Sequence, residues 1–182
     1  MRRLSALAFL AGLSLTLLGP QDASAQGRPQ TREGFFLGFG VGYGSLGCSN
    51  CTGDREGGQA GHLMLGGALN DRMLLGAETT VWLKEQNGVT LTQGNVCATL
   101  YFYPDARSGF FLKGGVGFAN LDLDVKGWGN SSETGFGVLA GLGYDVRVGR
   151  MFSLTPYGTF AFGAFDGGET NVVQAGVAVT WH

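Results

Sequence analysis

Hydrophobic side chains alternate with glycine along residues 34–44, which read GFFLGFGVGYG. One face carries Phe35, Leu37, Phe39, Val41 and Tyr43, and the other face is almost entirely glycine. A repeat of two indicates a β-strand. Because one face is wholly apolar and the other nearly without side chains, the pattern predicts a strand that lies between lipid and the narrow interior of a small transmembrane β-barrel.

The same alternation divides the rest of the chain, so that eight segments are each long enough to cross a membrane on a tilt. We predict strands over residues 34–46, 59–69, 72–83, 89–103, 109–121, 133–146, 151–165 and 171–181. The alternation changes phase in the upper part of the fourth segment, which a β-bulge near Gly94 would explain. The predicted fold is all-β, an eight-stranded antiparallel up-and-down transmembrane β-barrel.

The connections between these segments alternate in kind. Residues 70–71, 104–108 and 147–150 form short connections, whereas residues 47–58, 84–88, 122–132 and 166–169 form mostly longer and polar ones. Short periplasmic turns and longer extracellular loops are typical of bacterial outer-membrane barrels. We therefore expect an outer-membrane protein with both termini in the periplasm.

The N-terminus has the features of a secretory signal peptide. Arg2 and Arg3 precede an apolar run over residues 4–18, and Ala23-Ser24-Ala25 forms a small-residue cleavage site. A membrane anchor is the alternative, but no later segment resembles a membrane-spanning helix. We expect a signal peptide over residues 1–25, a short N-terminal segment over 26–33 and a barrel domain over 34–182.

The composition agrees with a lipid-exposed barrel and excludes some partners. Charged residues make up 14% of the chain, and 34 residues are glycine. Without the predicted signal peptide the chain has 10 basic and 13 acidic residues, a net charge of −3, with no block of like charge. Nucleic acid is therefore not an expected partner.

The chain resembles the small outer-membrane β-barrel family of the OmpA/OmpX type over residues 34–182. The resemblance depends on the first strand, on the repeated alternation of glycine with aromatic residues and on the last segment, VVQAGVAVTWH. It implies contact with outer-membrane lipid and lipopolysaccharide, a possible extracellular ligand at the loops, and recognition by the barrel assembly machinery. Trp181, followed only by His182, would be the assembly signal and an anchor at the membrane interface.

Two cysteines form a C-x-x-C motif at Cys48 and Cys51, in a predicted extracellular loop. The spacing is also that of redox and metal sites, but one pair cannot complete a tetrahedral metal site. A disulfide that tightens the loop is the expectation for an oxidising exterior. Cys97 faces inward and is predicted to be a small buried residue.

Glu78 and Lys113 are the only charged residues whose strand phase directs them inward well above the short turns. They lie on the third and fifth segments at similar heights, and His62 and Tyr157 project to nearby levels. A narrow barrel brings such groups within reach of one another. We therefore predict an ion pair between Glu78 and Lys113 inside the barrel.

The sequence predicts no catalytic, cofactor or metal site. A lipid A deacylase would need a histidine near a serine and an acid on the outward face, whereas His62 points inward and His182 lies at the periplasmic end. A soluble lipocalin-like carrier would need its apolar face inside. We expect a barrel with a plugged lumen and a structural or adhesive role through its extracellular loops. A lipid-binding or lipid-A-modifying barrel is the alternative.

Overall fold

A computed structural model of the chain describes residues 32–49, 54–127 and 129–182. These residues form one antiparallel sheet, and no helix among them is long and apolar enough to cross a membrane. The strands are β1 (Phe35–Cys48), β2 (Glu56–Asn70), β3 (Met73–Gln86), β4 (Val89–Phe102), β5 (Phe110–Val125), β6 (Gly129–Tyr144), β7 (Val146–Arg147), β8 (Phe152–Phe165) and β9 (Gly168–Trp181). The predicted signal peptide lies outside the described residues.

The sheet closes on itself. Each of β1 to β5 pairs with the next strand in sequence, β6 pairs with β8, β8 pairs with β9, and β9 returns to β1. The two-residue strand β7 continues β6 beyond Asp145. The barrel wall therefore has eight strands, and the predicted eight-stranded antiparallel barrel is confirmed.

The two ends of the barrel differ, and we name them by what they carry. The terminal end carries Arg32 and His182, and the distal end carries the turn at Asn87 and Gly88. This turn has positive φ angles of 55° and 78° at its two central residues, as in the tight hairpins that match the twist of a sheet. The distal connection between β3 and β4 is therefore only two residues long.

The strands extend further toward the distal end than the apolar pattern predicted. Residues 84–86, 122–125 and 129–132 were expected in polar loops but continue β3, β5 and β6. Polar residues pair across these hairpins, as Asp122 does with Ser132 and Asp124 with Asn130. Backbone pairing continues where no face is buried, so hydrophobic alternation cannot detect it.

No bulge interrupts β4 near Gly94, contrary to the sequence prediction. The register between β3 and β4 is continuous from Met73 opposite Phe102 to Gln86 opposite Val89. The apparent change of phase arises because Leu91 is apolar yet packs against buried residues inside the barrel. The register shift that does occur lies in the pairing of β2 with β3, between Ala68 and Asn70.

Candidate functional site

The buried polar side chains of the described residues lie in the lumen and at its two ends. Near the middle of the lumen, Lys113 Nζ on β5 donates to Glu78 Oε1 on β3, across the intervening strand β4. The second carboxylate oxygen, Glu78 Oε2, accepts a hydrogen bond from Tyr101 Oη at 2.6 Å. Both charged side chains are almost completely shielded, with 0% of Glu78 and 1% of Lys113 exposed. The structure thus brings Glu78 and Lys113 together.

His62 and Tyr157 lie beside this ion pair. Their ring centroids are 4.2 Å apart in an edge-to-face arrangement, and Lys113 Nζ is 5.7 Å from the Tyr157 ring centroid. Both ring nitrogens of His62 and the Tyr157 hydroxyl are buried and have no hydrogen-bond partner among the described residues. The ion pair therefore belongs to a wider buried polar layer. Within this layer Glu78 and Lys113 contact each other directly, whereas the polar atoms of His62 and Tyr157 have no hydrogen-bond partner among the described residues.

An apolar cluster fills the lumen between this layer and the terminal end. Its members are Phe36, Met64, Leu74, Tyr101, Tyr103 and Phe111, all at most 4% exposed. Tyr101 makes edge-to-face contacts with Phe36 and Phe111, at centroid distances of 5.5 Å and 5.8 Å. The inward glycines accommodate these large side chains. At Gly143, for example, an added Cβ would lie 2.5 Å from the Phe111 ring.

A second apolar cluster lies toward the distal end around Trp82, which is 1% exposed. Leu46, Ala60, Ala161 and Val172 pack with it, and Trp82 Nε1 donates to the carbonyl of Gly44 at 3.1 Å. The sequence interpretation did not identify this cluster. The sequence did contain a signal for this cluster, because the strand phase of Trp82 places it on the inward side with Glu78 and Thr80.

A third buried group, which sequence reasoning also missed, lies at the terminal end. Asp145 accepts hydrogen bonds from Tyr103 Oη at 2.9 Å and from Thr155 Oγ1 at 2.6 Å. The Arg32 guanidinium stacks on the Tyr103 ring, 3.5 Å from its centroid, and donates to the carbonyl of Ala106 at 3.0 Å. Residues from four separate segments of the chain therefore form one polar cluster.

The last residue of the chain belongs to this terminal cluster. Trp181 faces outward at the end of β9, so the following residue turns inward, and His182 Nε2 lies 3.8 Å from Asp145 Oδ2. Burial lowers the pKa of His182, while the Asp145 carboxylate opposes that change and the nearby Arg147 and Arg32 reinforce it. Burial therefore disfavours the charged form of His182 in the folded barrel.

This burial makes stability depend on pH. The folded-state pKa of His182 is below the unfolded value of about 6.5, so the unfolded chain binds the proton first as the pH falls. We expect the part of the free energy of unfolding that depends on His182 to decrease as the pH falls below about 6.5. Urea unfolding in lipid vesicles between pH 8 and 5 measures it, and His182→Gln should flatten the profile. An unchanged slope in that variant would show that His182 is not the group involved.

The predicted disulfide is only partly within the described residues. Cys48 is disulfide-bonded, and Cys51 lies outside them, so the pairing of these two residues stays a prediction. Cys97 is a free thiol, buried in the lumen on β4.

Trp181, predicted as the interface anchor, faces outward and pairs with Phe152 on β8 and Leu37 on β1.

Comparisons with known proteins identify the fold. No protein-family model and no curated protein sequence matches the chain. Neisserial surface protein A (NspA) has a similar structure, with a TM-score of 0.63 and 15% identity over 81% of this chain and 96% of that one. Ail, the attachment invasion locus protein of Yersinia pestis, has a TM-score of 0.59 and 14% identity over 82% and 99%.

The N-terminal β-barrel domain of Pseudomonas aeruginosa OprF is similar as well, with a TM-score of 0.50 and 16% identity over 82% of this chain and 98% of that one. All three are small outer-membrane β-barrels of eight strands. The chain therefore has the fold of this class of protein. The resemblance to the OmpA/OmpX type is confirmed at the level of fold.

Proposed function

We propose that the chain is an integral protein of the bacterial outer membrane, with a lumen closed to solutes and a structural or interactive role at its distal end. The observation that carries this proposal is the outward face of the barrel, where every long strand exposes large apolar side chains. Val41, Val116, Phe118 and Phe136 are between 55% and 72% exposed. An apolar surface of this extent around a whole protein needs lipid.

The lengths of the strands and the positions of aromatic residues support an orientation in the membrane. Outward Phe35, Phe102, Phe110, Tyr144, Phe152 and Trp181 lie at the terminal end, and Tyr43, Phe118, Phe136 and Phe162 lie further toward the distal end. A 16-residue strand tilted by about 40° rises roughly 40 Å, which exceeds the apolar band of about 25 Å. We propose that the distal strand ends extend outside the cell and that both termini are periplasmic.

The trans-barrel packing supports a closed lumen. Solutes would have to pass the cluster around Trp82, the buried layer of Glu78 and Lys113, and the aromatic cluster near Phe111. We expect no stepwise conductance when the purified barrel is inserted into planar lipid bilayers. The double variant Trp82→Gly, Phe111→Gly, which removes one large side chain from each apolar cluster, should raise conductance. A stable unit conductance in the wild-type barrel would contradict a closed lumen.

We propose no catalytic role. The two histidines of the chain, His62 and His182, are both on the inside of the barrel, so neither faces the lipid where a lipid-modifying enzyme would act. No observation specifically favours the lipid-modifying alternative. Release of acyl chains from labelled lipopolysaccharide by the purified barrel, lost in His62→Gln, would establish it instead.

We also propose that Trp181 completes the signal for the barrel assembly machinery. Trp181→Asp places a charge on the lipid-facing end of the last strand, and we expect the amount of assembled barrel to decrease severalfold. Asp166→Lys, in the distal turn before the same strand, should leave assembly almost unchanged because that side chain is solvated. The measurement is the fraction of folded protein on unheated gels of isolated outer membranes. Equal losses in both variants would argue against this orientation.

The distal end is suited to cationic rather than anionic partners. Among the described residues it has eight acidic side chains, Asp54, Glu56, Glu85, Asp122, Asp124, Glu133, Asp166 and Glu169, against three basic ones, Arg55, Lys84 and Lys126. Ail has been crystallised with the heparin analogue sucrose octasulfate, a polyanion. A distal surface with a net charge of −5 would repel such a ligand.

A further inference from the structure

A cavity of about 190 Å³ opens in the mouth of the barrel at the distal end. Its wall comes from five strands, through Cys48 on β1, Leu121 on β5, Glu133 on β6, Phe165 on β8, and Glu169 and Thr170 on β9. It is smaller than the roughly 300–1,000 Å³ of drug-sized ligand sites. The cavity therefore has room for one small group or one side chain.

The floor of the cavity is apolar, and two glycines leave the space that its aromatic ring occupies. The Phe165 ring lies over Gly135 and Gly163, where an added Cβ would come within 2.9 Å and 2.8 Å of the ring. Leu121 lies beside it, opposite Glu133 in the pairing of β5 with β6. Only glycine at positions 135 and 163 leaves space for the ring in this position, so an aromatic surface is available inside the mouth.

One carboxylate, that of Glu133, stands at the wall above this floor. Glu133 Oε1 accepts a hydrogen bond from the backbone N–H of Gly167 at 3.1 Å, which orients the carboxylate across the β8–β9 turn. Glu169 contributes its backbone to the wall, where its carbonyl accepts a hydrogen bond from the Ser49 N–H at 3.0 Å, while its exposed side chain points outward because the next residue, Thr170, points inward. In the part of the chain that the structure describes, Glu133 forms no ion pair.

An unpartnered polar atom points to a ligand independently of this acid. Thr170 lines the cavity and is 5% exposed, and its Oγ1 has no hydrogen-bond partner among the described residues. A buried hydroxyl without a partner is destabilising, so such groups are normally satisfied by a bound molecule or by water. A donor bound in the cavity would satisfy this oxygen.

We propose that this cavity binds an alkylammonium group. Its N–H groups donate to the Glu133 carboxylate and to Thr170 Oγ1, and its aliphatic stem lies on Phe165 and Leu121. An aromatic face attracts a cation within about 6 Å of the ring centroid, and carboxylates accept charge-assisted hydrogen bonds. The negative charge of the distal end raises the local concentration of cations. The site deepens the proposed function, because it gives the interactive distal end a class of partner.

The test uses the barrel purified from outer membranes in a zwitterionic detergent. Two ammonium probes, 1,5-diaminopentane and Nα-acetyl-lysine methylamide, are titrated by calorimetry and by NMR, and 1,5-pentanediol serves as the uncharged counterpart. We expect both ammonium probes to bind, with resonances of Gly167 and Thr170 shifting, and the diol not to bind. Binding of the diamine alone would identify a free polyamine as the ligand, and binding of the lysine probe alone would identify a side chain of a partner protein.

Variants separate this site from the general negative charge of the distal end. Glu133→Gln should weaken binding about fivefold, as expected for losing one partly exposed ionic contact. Glu85→Gln removes an acid of the same end outside the cavity and should leave affinity almost unchanged. Gel mobility without heating confirms that each variant is folded.

Failure of both ammonium probes to bind would overturn the alkylammonium site, and so would either of two further results. One is equal binding of the diol and the diamine, and the other is an equal loss of affinity in Glu85→Gln and Glu133→Gln. Binding by the purified barrel requires neither outer-membrane location nor a closed lumen. A negative titration would therefore remove the site and leave the proposed function to its own conductance test.

Discussion

Replacing either Glu78 or Lys113 with alanine is expected to lower the free energy of unfolding by about 3–5 kcal/mol, because each change leaves the other charge buried without its partner. The ion pair is enclosed by protein on all sides, with the side chains 0% and 1% exposed, and Tyr101 adds a third group that loses its partner when Glu78 is removed. Equilibrium unfolding in urea, with the barrel in lipid vesicles, measures the loss.

The double variant distinguishes a direct pair from two charges that water solvates separately. We expect Glu78→Ala, Lys113→Ala to lose less than the sum of the single losses, because neither buried charge then remains. The exposed pair Lys84 and Glu56 provides a matched control in the same protein, with side chains 27% and 57% exposed. Glu56→Ala should cost about 0–1 kcal/mol. Small, additive effects for the buried pair would contradict a direct interaction.

Val116→Arg is expected to destabilise the barrel by about 2–4 kcal/mol, because it places a charge on the lipid-facing wall near the middle of the membrane. Val116 is 58% exposed and lies on β5, midway between Phe110 and Asp122. The result is read from the same unfolding experiment in lipid vesicles.

Asp124→Arg is the matched control for Val116→Arg. It lies on the same strand with the same phase, but at the distal end, where a charge costs about 0–1 kcal/mol. If both variants lost the same amount of stability, the environment of Val116 would be no more apolar than that of Asp124. The proposed position of the membrane would then be wrong.

Local alternation was enough to predict the barrel wall. The apolar face of β1 is visible within eleven residues, and the same repeat locates the other long strands. The phase of the strands also indicated that Glu78 and Lys113 face one another, because side-chain direction is fixed by position along a strand. These features depend on a repeat of two and on the narrow interior of an eight-stranded barrel.

The remaining features depend on contacts that no local pattern contains. Strand β5 continues to Val125 because its polar residues pair with β6, not because a face is buried. The predicted bulge in β4 was wrong because Leu91 is apolar but faces the lumen, which is apolar at that level. The terminal cluster joins Arg32, Asp145 and His182, whose proximity appears only once the barrel has closed.

The most direct test of the central claim, an integral outer-membrane barrel, is cell fractionation combined with gel electrophoresis of boiled and unheated samples. A closed barrel leaves no strand edge for detergent to attack, so folded protein resists SDS until it is heated. We expect the protein in the outer-membrane fraction, extractable only with detergent, and with different mobility before and after boiling. Recovery as a soluble periplasmic monomer without detergent would contradict the account.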